Sequence, residues 1–366
     1  MELEHKLRTI CEAFCLPGTF AGYRHLKVGN VNQTYRVFYD MPDRSICSYI
    51  VQRVNTYAFR EPELLMHNAA LVTEHIYNNK KEGQESLHYY QTEDHKTFLY
   101  DEEGGFWRVS NFISSHTFDT CSDEDILWET GAAFGDFQKL LYNFPAIDLY
   151  ETIPFFHHTP RRLKTLFEDA ERDLVGRVAE VQEELAYLRS AQEKAGTLTR
   201  LYEEEKLPLR VTHNDTKINN VLFDQQTNKA IAIIDLDTVM PGLIGHDFGD
   251  GVRFAANVVE EDCPDCEQVS FSLKRFAAFT RGFLTKAGSI LTKTEIDTLA
   301  LSAFCITIEL ASRFLDDYIM GDPYFKINYP KHNLVRTRCQ LALAKDIEQK
   351  LDEMQRIVDQ CMHELV

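Results

Sequence analysis

The feature that most constrains this chain is a polar loop set between short apolar runs in residues 210 to 237. One apolar run ends at His213-Asn214-Asp215, and a second begins after Asn220. A third, from Ala230 to Ile234, leads directly into Asp235-Leu236-Asp237. Short apolar runs bounded by polar residues are typical of buried strands. The pattern therefore predicts that strand ends bring two acids and an amide together.

The types and spacing of these polar residues indicate phosphoryl transfer. His213, Asp215 and Asn220 follow the H-x-D-x-x-x-x-N spacing of a kinase catalytic loop, and Asp235 ends the strand where such sites hold a metal ion. Asp215 is the candidate base for an acceptor hydroxyl. Asn220 and Asp235 offer the hard oxygen ligands that Mg²⁺ prefers. His213 is assigned to packing of the loop. The alternative is a polar turn between buried strands, without chemistry.

Length, charge and cysteine content limit the classes of protein to which this chain can belong. The 366 residues, 44% of them hydrophobic, are enough for two lobes with apolar cores. A net charge of −18 argues against nucleic acid or an anionic membrane as partner, because such binding depends on clustered Lys and Arg. The nine scattered cysteines suit a reducing compartment. The charged N-terminus is unlike a signal peptide, and the uncharged run 298–308 is too short to span a bilayer. We expect a cytoplasmic protein without an obligatory protein partner.

Residues 1–113 are predicted to form a small antiparallel sheet with one inserted helix. Alternation and turn residues predict a helix at Pro62–Asn79 and strands at 23–28, 34–39, 48–53, 87–91 and 97–100. The loop between the first two strands lies where a kinase folds a loop over nucleotide phosphates, and an ordinary hairpin turn is the alternative. Its candidate nucleotide contacts are Asn30, Asn32 and Thr34.

Two other parts of this predicted sheet could contact a nucleotide. Arg53 ends the third strand, where a phosphate-binding cation would lie, and a solvent-facing edge cation is the alternative. Its partner acid would be Glu63 or Glu74 on the following helix. The run that ends in Asn111-Phe112-Ile113 is placed at a hinge, where the backbone groups of Asn111 and Ile113 would contact adenine. The alternative for this run is a last edge strand.

From residue 114 onward the pattern is mainly helical. Helices are predicted at 123–142, 161–195, 247–257, 269–286, 293–320 and 332–364. Asp247 could either cap its helix or brace the catalytic loop. No long activation segment follows Asp237, which argues against a protein kinase. The predicted fold class is α+β: a bilobal, protein-kinase-like fold with a small antiparallel-sheet N-lobe (1–113) and a larger, mainly helical C-lobe (114–366).

Several segments resemble those of one known family. VTHNDTKINNVLF, IDLDTVMPGL and DFGDGVRFAAN are similar to the N-acetylhexosamine 1-kinases, within the aminoglycoside phosphotransferase and choline kinase group, and the likeness extends over nearly the whole chain. The resemblance implies ATP- and Mg²⁺-dependent phosphorylation of the anomeric hydroxyl of GlcNAc or GalNAc. It implies that Asp215 is the base and that Asn220 and Asp235 bind metal. The implied sugar contacts are Asp215, Asp237, Phe254, Arg313 and Tyr324.

Three functions remain open at this point. The first is the anomeric amino-sugar kinase. The second keeps the fold and chemistry but uses another hexose, an aminoglycoside or an amino alcohol as acceptor. The third is a nucleotide-binding regulatory module without turnover, which the complete set of Asp215, Asn220 and Asp235 disfavours. The alternative role of Arg313 is a helical i,i+4 pair with Glu309, and that of Tyr324 is packing.

Overall fold

A five-stranded antiparallel sheet occupies most of the first third of the chain. The structure, a computed structural model, describes residues 2–26 and 31–365. The strands are β1 (Thr19–Leu26), β2 (Gln33–Asp40), β3 (Ile46–Val54), β4 (Leu99–Tyr100) and β5 (Phe106–Asn111). Their order in the sheet is β1-β2-β3-β5-β4. Two helices, α1 (Glu2–Ala13) and α2 (Pro62–Asn79), belong to this part of the chain.

The two faces of this sheet have different partners, because successive side chains on a strand point to opposite faces. Tyr49 and Val51 of β3 share a buried apolar cluster with Trp107 of β5 and with residues of α1. Gln52 and Arg108, which pair across β3 and β5, point to the other face, which we call the cleft face. The cleft face is the one that meets the second part of the chain, where Arg108 contacts Asp237.

The second part of the chain is mainly helical. Its helices are α3 (Glu124–Leu140), α4 (Thr159–Arg172), α5 (Gln182–Ala195), α6 (Thr197–Glu203), α7 (Ile244–Ala256), α8 (Leu273–Ala287), α9 (Lys293–Ile319) and α10 (His332–Glu364). Two short antiparallel pairs lie among them: β6 (Arg210–Thr212) with β9 (Met240–Gly242), and β7 (Val221–Phe223) with β8 (Ala230–Ile233). The predicted fold class, α+β with a protein-kinase-like arrangement, is confirmed. The division into 1–113 and 114–366 stays a prediction.

Helix α9 belongs to the large apolar core of the helical part. By length and composition it could cross a membrane, unlike the shorter uncharged run considered from the sequence, but 78% of its most apolar window is buried inside the protein. Leu299, Phe304 and Leu315 are among its fully buried side chains. Such burial is typical of a core helix in a globular protein.

Two predictions of secondary structure are wrong. The helix predicted at 161–195 is two helices, α4 and α5, because the chain between them turns through left-handed backbone at Asp173 (φ 40°) and Gly176 (φ 69°). The strand predicted at 87–91 is reduced to a single bridge between Tyr89 and Ser110. Two backbone hydrogen bonds remain there, and the side chain of Asn111 adds another, since its Nδ2 donates to the Ser86 carbonyl at 3.0 Å.

Candidate active site

Asp247, on α7, fixes the backbone of the predicted catalytic loop. One carboxylate oxygen accepts from the backbone N–H of His213 at 2.9 Å, and the other accepts from that of Asn214 at 2.8 Å. Gln138 donates to the same carboxylate at 2.8 Å. Burial raises the pKa of Asp247, which these hydrogen bonds partly offset. Of the two roles that the sequence allowed, Asp247 braces the loop and does not cap its helix.

Asp215 is oriented by two residues of its own loop. Its Oδ1 lies 3.0 Å from Nζ of Lys217, and its Oδ2 accepts from Nδ2 of Asn220 at 2.9 Å. The carboxylate raises the pKa of Lys217, so this side chain stays positively charged. The sequence reasoning gave Lys217 no role. Its position two residues after Asp215 in the same loop is the signal that could have identified it.

Asp235 follows β8 and lies open to the cleft. Its backbone is left-handed, with φ of 63°, a strained conformation for a residue with a side chain. Protein surrounds the carboxylate of Asp235 on its other sides and removes water from it. This desolvation, together with the negative charges of Asp237 and Asp215, raises the pKa of Asp235 to about 7. A carboxylate in this setting is stabilised by a cation.

The residues at this position fit a magnesium ion. Nδ2 of Asn220 donates to Asp215, so the amide oxygen of Asn220 is left to act as a ligand beside the carboxylate of Asp235. In the part of the chain that the structure describes, no group of three or more His, Cys, Asp or Glu is arranged around a common metal position. Because Mg²⁺ keeps several waters and uses few protein ligands, one carboxylate and one amide suffice.

Asp237 is buried between the two parts of the molecule. NH1 of Arg108 lies 2.5 Å from its Oδ1, and Nδ2 of Asn32 donates to its Oδ2 at 2.6 Å. Both carboxylate oxygens therefore have protein partners. The structure groups Asp237 with the sheet and the loop before β2, and its assignment as a sugar contact stays a prediction.

Arg108, and not Arg53, is the cation on the cleft face. Its side chain is 1% exposed, and its Nε donates to Gln52 at 2.9 Å, while Gln52 donates to the Thr34 hydroxyl at 3.1 Å. Arg53 follows Gln52 on the strand, pairs with Trp107 and so points to the opposite face. The role of Arg53 as a phosphate-binding cation stays a prediction, and its strand position directs it away from the cleft face. Nothing in the sequence marks Arg108, because a lone Arg in a strand is usually exposed.

Several of the other groups predicted to contact the nucleotide already form hydrogen bonds within the protein. The backbone N–H of Asn111 donates to the His88 carbonyl at 3.1 Å, and the Ile113 carbonyl accepts from the Ser115 hydroxyl at 3.0 Å. The Thr34 hydroxyl is bonded to Gln52. These groups are engaged within the protein, so their contacts with adenine or phosphate stay predictions. Asn30 lies outside the described residues.

Two of the predicted sugar contacts lie close together at one end of α9. The guanidinium of Arg313 lies over the rings of Phe156 and Phe325, at 5.2 and 5.6 Å. Tyr324 is 73% exposed, and its ring contacts that of Phe325 at 4.9 Å. The alternative pairing of Arg313 with Glu309 is not formed, because Glu309 bonds elsewhere.

Phe254 is placed separately from this aromatic group. It lies on α7, half-buried, and packs against the apolar core of the helical part. The residue before it, Arg253, is fully buried and forms ion pairs with Asp250 and Glu261, both at 2.8 Å. These contacts join α7 to the segment that follows it, and the role of Phe254 in lining a sugar pocket stays a prediction.

Comparisons with known proteins agree with this arrangement. The model of the APH phosphotransferase enzyme family matches residues 24–265. Among solved structures, a microcompartment-associated aminopropanol kinase is similar over 96% of this chain and 98% of its own, with 15% identity and a TM-score of 0.62. Spectinomycin phosphotransferase APH(9)-Ia, in complex with ADP and spectinomycin, covers the same shares with 12% identity and a TM-score of 0.59. Amicoumacin kinase hAmiN, in complex with AMP-PNP, Ca²⁺ and Ami, covers 100% of both chains with 12% identity and a TM-score of 0.56.

The chain belongs to the APH phosphotransferase enzyme family. It is a small-molecule kinase of the aminoglycoside phosphotransferase and choline kinase fold.

Proposed function

We propose that this protein transfers the γ-phosphoryl group of ATP to the anomeric hydroxyl of an N-acetylhexosamine, GlcNAc or GalNAc, in the cytoplasm. The observation that carries the chemistry is the cluster of Asp215, Lys217 and Asn220 beside the open carboxylate of Asp235. A base, a fixed positive charge and two metal ligands are the parts that phosphoryl transfer to a hydroxyl requires.

Several observations support ATP and Mg²⁺ as the cofactors. The structures of two similar kinases are complexes with ADP or with AMP-PNP and Ca²⁺. Asp235 and Asn220 would hold Mg²⁺ here, and the bound ion would neutralise charge on the phosphates. Asp215 takes the proton of the acceptor hydroxyl, and Asn220 holds the carboxylate in position. Lys217 places its positive charge next to the reacting groups, 3.0 Å from the carboxylate of Asp215.

The acceptor half of the site favours a neutral sugar over a cationic acceptor. Arg313 is stacked on two aromatic rings and has no ion pair within residues 2–26 and 31–365. Arg162 donates to the Phe156 carbonyl, and burial and the neighbouring Arg313 lower its pKa. The two arginines disfavour the ammonium groups of aminoglycosides and amino alcohols, while the carboxyl groups of Glu309 and Asp316 beside Arg162 act in the opposite sense. Planar donors beside aromatic rings suit the hydroxyls and apolar faces of a sugar.

The product made from GlcNAc or GalNAc tests the proposed function directly. Phosphorus NMR of each reaction with ATP and Mg²⁺ should show a phosphate coupled to the anomeric proton. The C1 preference would come from how the ring is held, because near-attack geometry selects the hydroxyl that faces Asp215. A 6-phosphate product would contradict the regiochemistry. Turnover only with galactose, kanamycin or choline would assign the protein to another acceptor class.

Replacing Arg313 with alanine should raise KM for the sugar about tenfold or more and leave KM for ATP nearly unchanged, because the side chain lies in the acceptor half alone. The measurement is a pair of saturation curves, one for each substrate. Arg189→Ala is the matched control, since this arginine is also stacked on an aromatic ring, Phe167, at 4.2 Å. An equal rise in both KM values would contradict the assignment.

A further inference from the structure

A buried histidine near the acceptor residues has one ring nitrogen without a partner. His157 lies in the segment before α4, and its side chain is 8% exposed. Its Nδ1 is 2.8 Å from Oε1 of Glu309. Its Nε2 has almost no accessible surface and no hydrogen-bond partner in the described part of the chain. A buried polar atom without a partner is unfavourable, so it marks a position where a ligand group can be gained.

The hydrogen bonds of Glu309 determine which nitrogen of His157 carries the proton. The second oxygen of Glu309 accepts from the Thr159 hydroxyl at 2.8 Å. Burial acts to raise the pKa of Glu309, but His157 and Arg313 lower it overall, so the group is ionised. An ionised carboxylate only accepts hydrogen bonds, so Nδ1 of His157 must be the donor. We take the ring of His157 in its neutral form, in which Nε2 is then an acceptor.

A chain of contacts links His157 to Arg313 through Phe156, and to the catalytic loop through α7. On one side its ring contacts Phe156 at 4.5 Å, and the guanidinium of Arg313 lies over that same phenyl ring. On the other side its ring is 4.9 Å from that of His246, in the first turn of α7. Asp250, one turn further along α7, accepts from the backbone N–H of Thr216 at 3.1 Å, directly after the catalytic base.

We propose that Nε2 of His157 accepts a hydrogen bond from a hydroxyl or N–H group of the acceptor. The proposal rests on the proposed function only in that a small hydroxylated acceptor occupies this half of the cleft. Because Nε2 is covered, the segment 153–158 has to shift for the contact to form. Phe155 in that segment has a left-handed backbone, with φ of 57°, which is strained for a bulky residue. Acceptors that lack the matching donor are expected to be poor substrates.

His157→Asn is the variant that separates the two ring nitrogens. Its side-chain N–H₂ can replace the Nδ1 donor to Glu309, whereas no atom replaces Nε2. We expect KM for the acceptor to rise about tenfold or more and KM for ATP to stay within about twofold. His157→Gln, whose amide reaches the position of Nε2, should lose less. An unchanged acceptor KM in a folded His157→Asn protein would overturn the proposal.

Monodeoxy analogues of the acceptor test whether the contact is direct. One analogue should have a KM with the parent enzyme that is as high as the KM of the full acceptor with His157→Asn. For the His157→Asn variant, the KM values of this analogue and of the full acceptor should be equal. This non-additivity is the signature of two groups in contact. Additive losses for every analogue would mean that His157 acts only through packing, which would also overturn the proposal.

Thr159→Val is the control for a purely structural effect. It removes the other hydrogen bond of Glu309 and leaves His157 Nε2 in place, so KM for the acceptor should be unchanged. All of these assays use whichever acceptor the enzyme phosphorylates best. Failure of GlcNAc and GalNAc as substrates would therefore contradict the proposed function alone, and the result for His157 would stand separately.

Discussion

Asp215→Asn should lower kcat about 10³-fold while the fold and ATP binding are retained. The substitution is nearly isosteric, so the hydrogen bond with Asn220 and the position of the loop can adjust locally, but the amide cannot take a proton from the acceptor. Lys217 also loses its ion-pair partner, and its charge is then less well positioned. The measurement is steady-state turnover together with nucleotide binding by calorimetry.

The matched control for this substitution is Asp352→Asn on α10, an exposed acid that is not placed in the site. Its kcat should equal that of the parent. Turnover of Asp215→Asn within about tenfold of the parent would remove Asp215 from the role of base, because general-base catalysis contributes more than that.

Arg108→Met should lower the free energy of unfolding by about 3–5 kcal/mol, because it leaves the carboxylate of Asp237 buried without its counter-charge. The same change removes the partner of the Gln52 amide oxygen. Urea unfolding followed by circular dichroism measures the effect. The double variant Arg108→Met/Asp237→Asn should recover more than half of the loss, since the buried charge is then gone.

Arg53→Met provides the control for Arg108→Met, since it removes an arginine from the opposite face of the same pair of strands. Its effect on stability should be within about 0.5 kcal/mol. A comparable loss in both variants would show that the ion pair between Arg108 and Asp237 is not what holds this region together.

The catalytic loop could be predicted from the sequence because its geometry is local. Asp215 and Asn220 lie in one short loop, and the strand that ends at Asp235 is adjacent in the chain, so spacing alone fixes the group. The buried residues around them depend on contacts between distant segments. Arg108 and Asp237 are separated by 129 positions, and His157 and Glu309 by 152. No local pattern reports such pairs.

The face to which Arg53 points could not be predicted from the sequence for a different reason. The end of a strand can be predicted to within a few residues, but the face to which a side chain points changes with every residue. A shift of one position in the register therefore exchanges the faces to which Gln52 and Arg53 point. The break in the predicted helix at Asp173 was missed because an aspartate and a glycine in a charged segment also occur inside exposed helices.

Helix α9 carries three polar residues in the region where we propose that the acceptor binds: Glu309 holds His157, Arg313 lies over aromatic rings, and Asp317 accepts from the backbone of Tyr324. They are spaced four residues apart, so they form a row with steps of about 6 Å along one side of a rigid helix. A longer or shorter acceptor could be accommodated by exchanging residues along this row without disturbing the loop that performs the transfer. We expect acceptor range in related enzymes to diverge at these three positions while the chemistry stays constant.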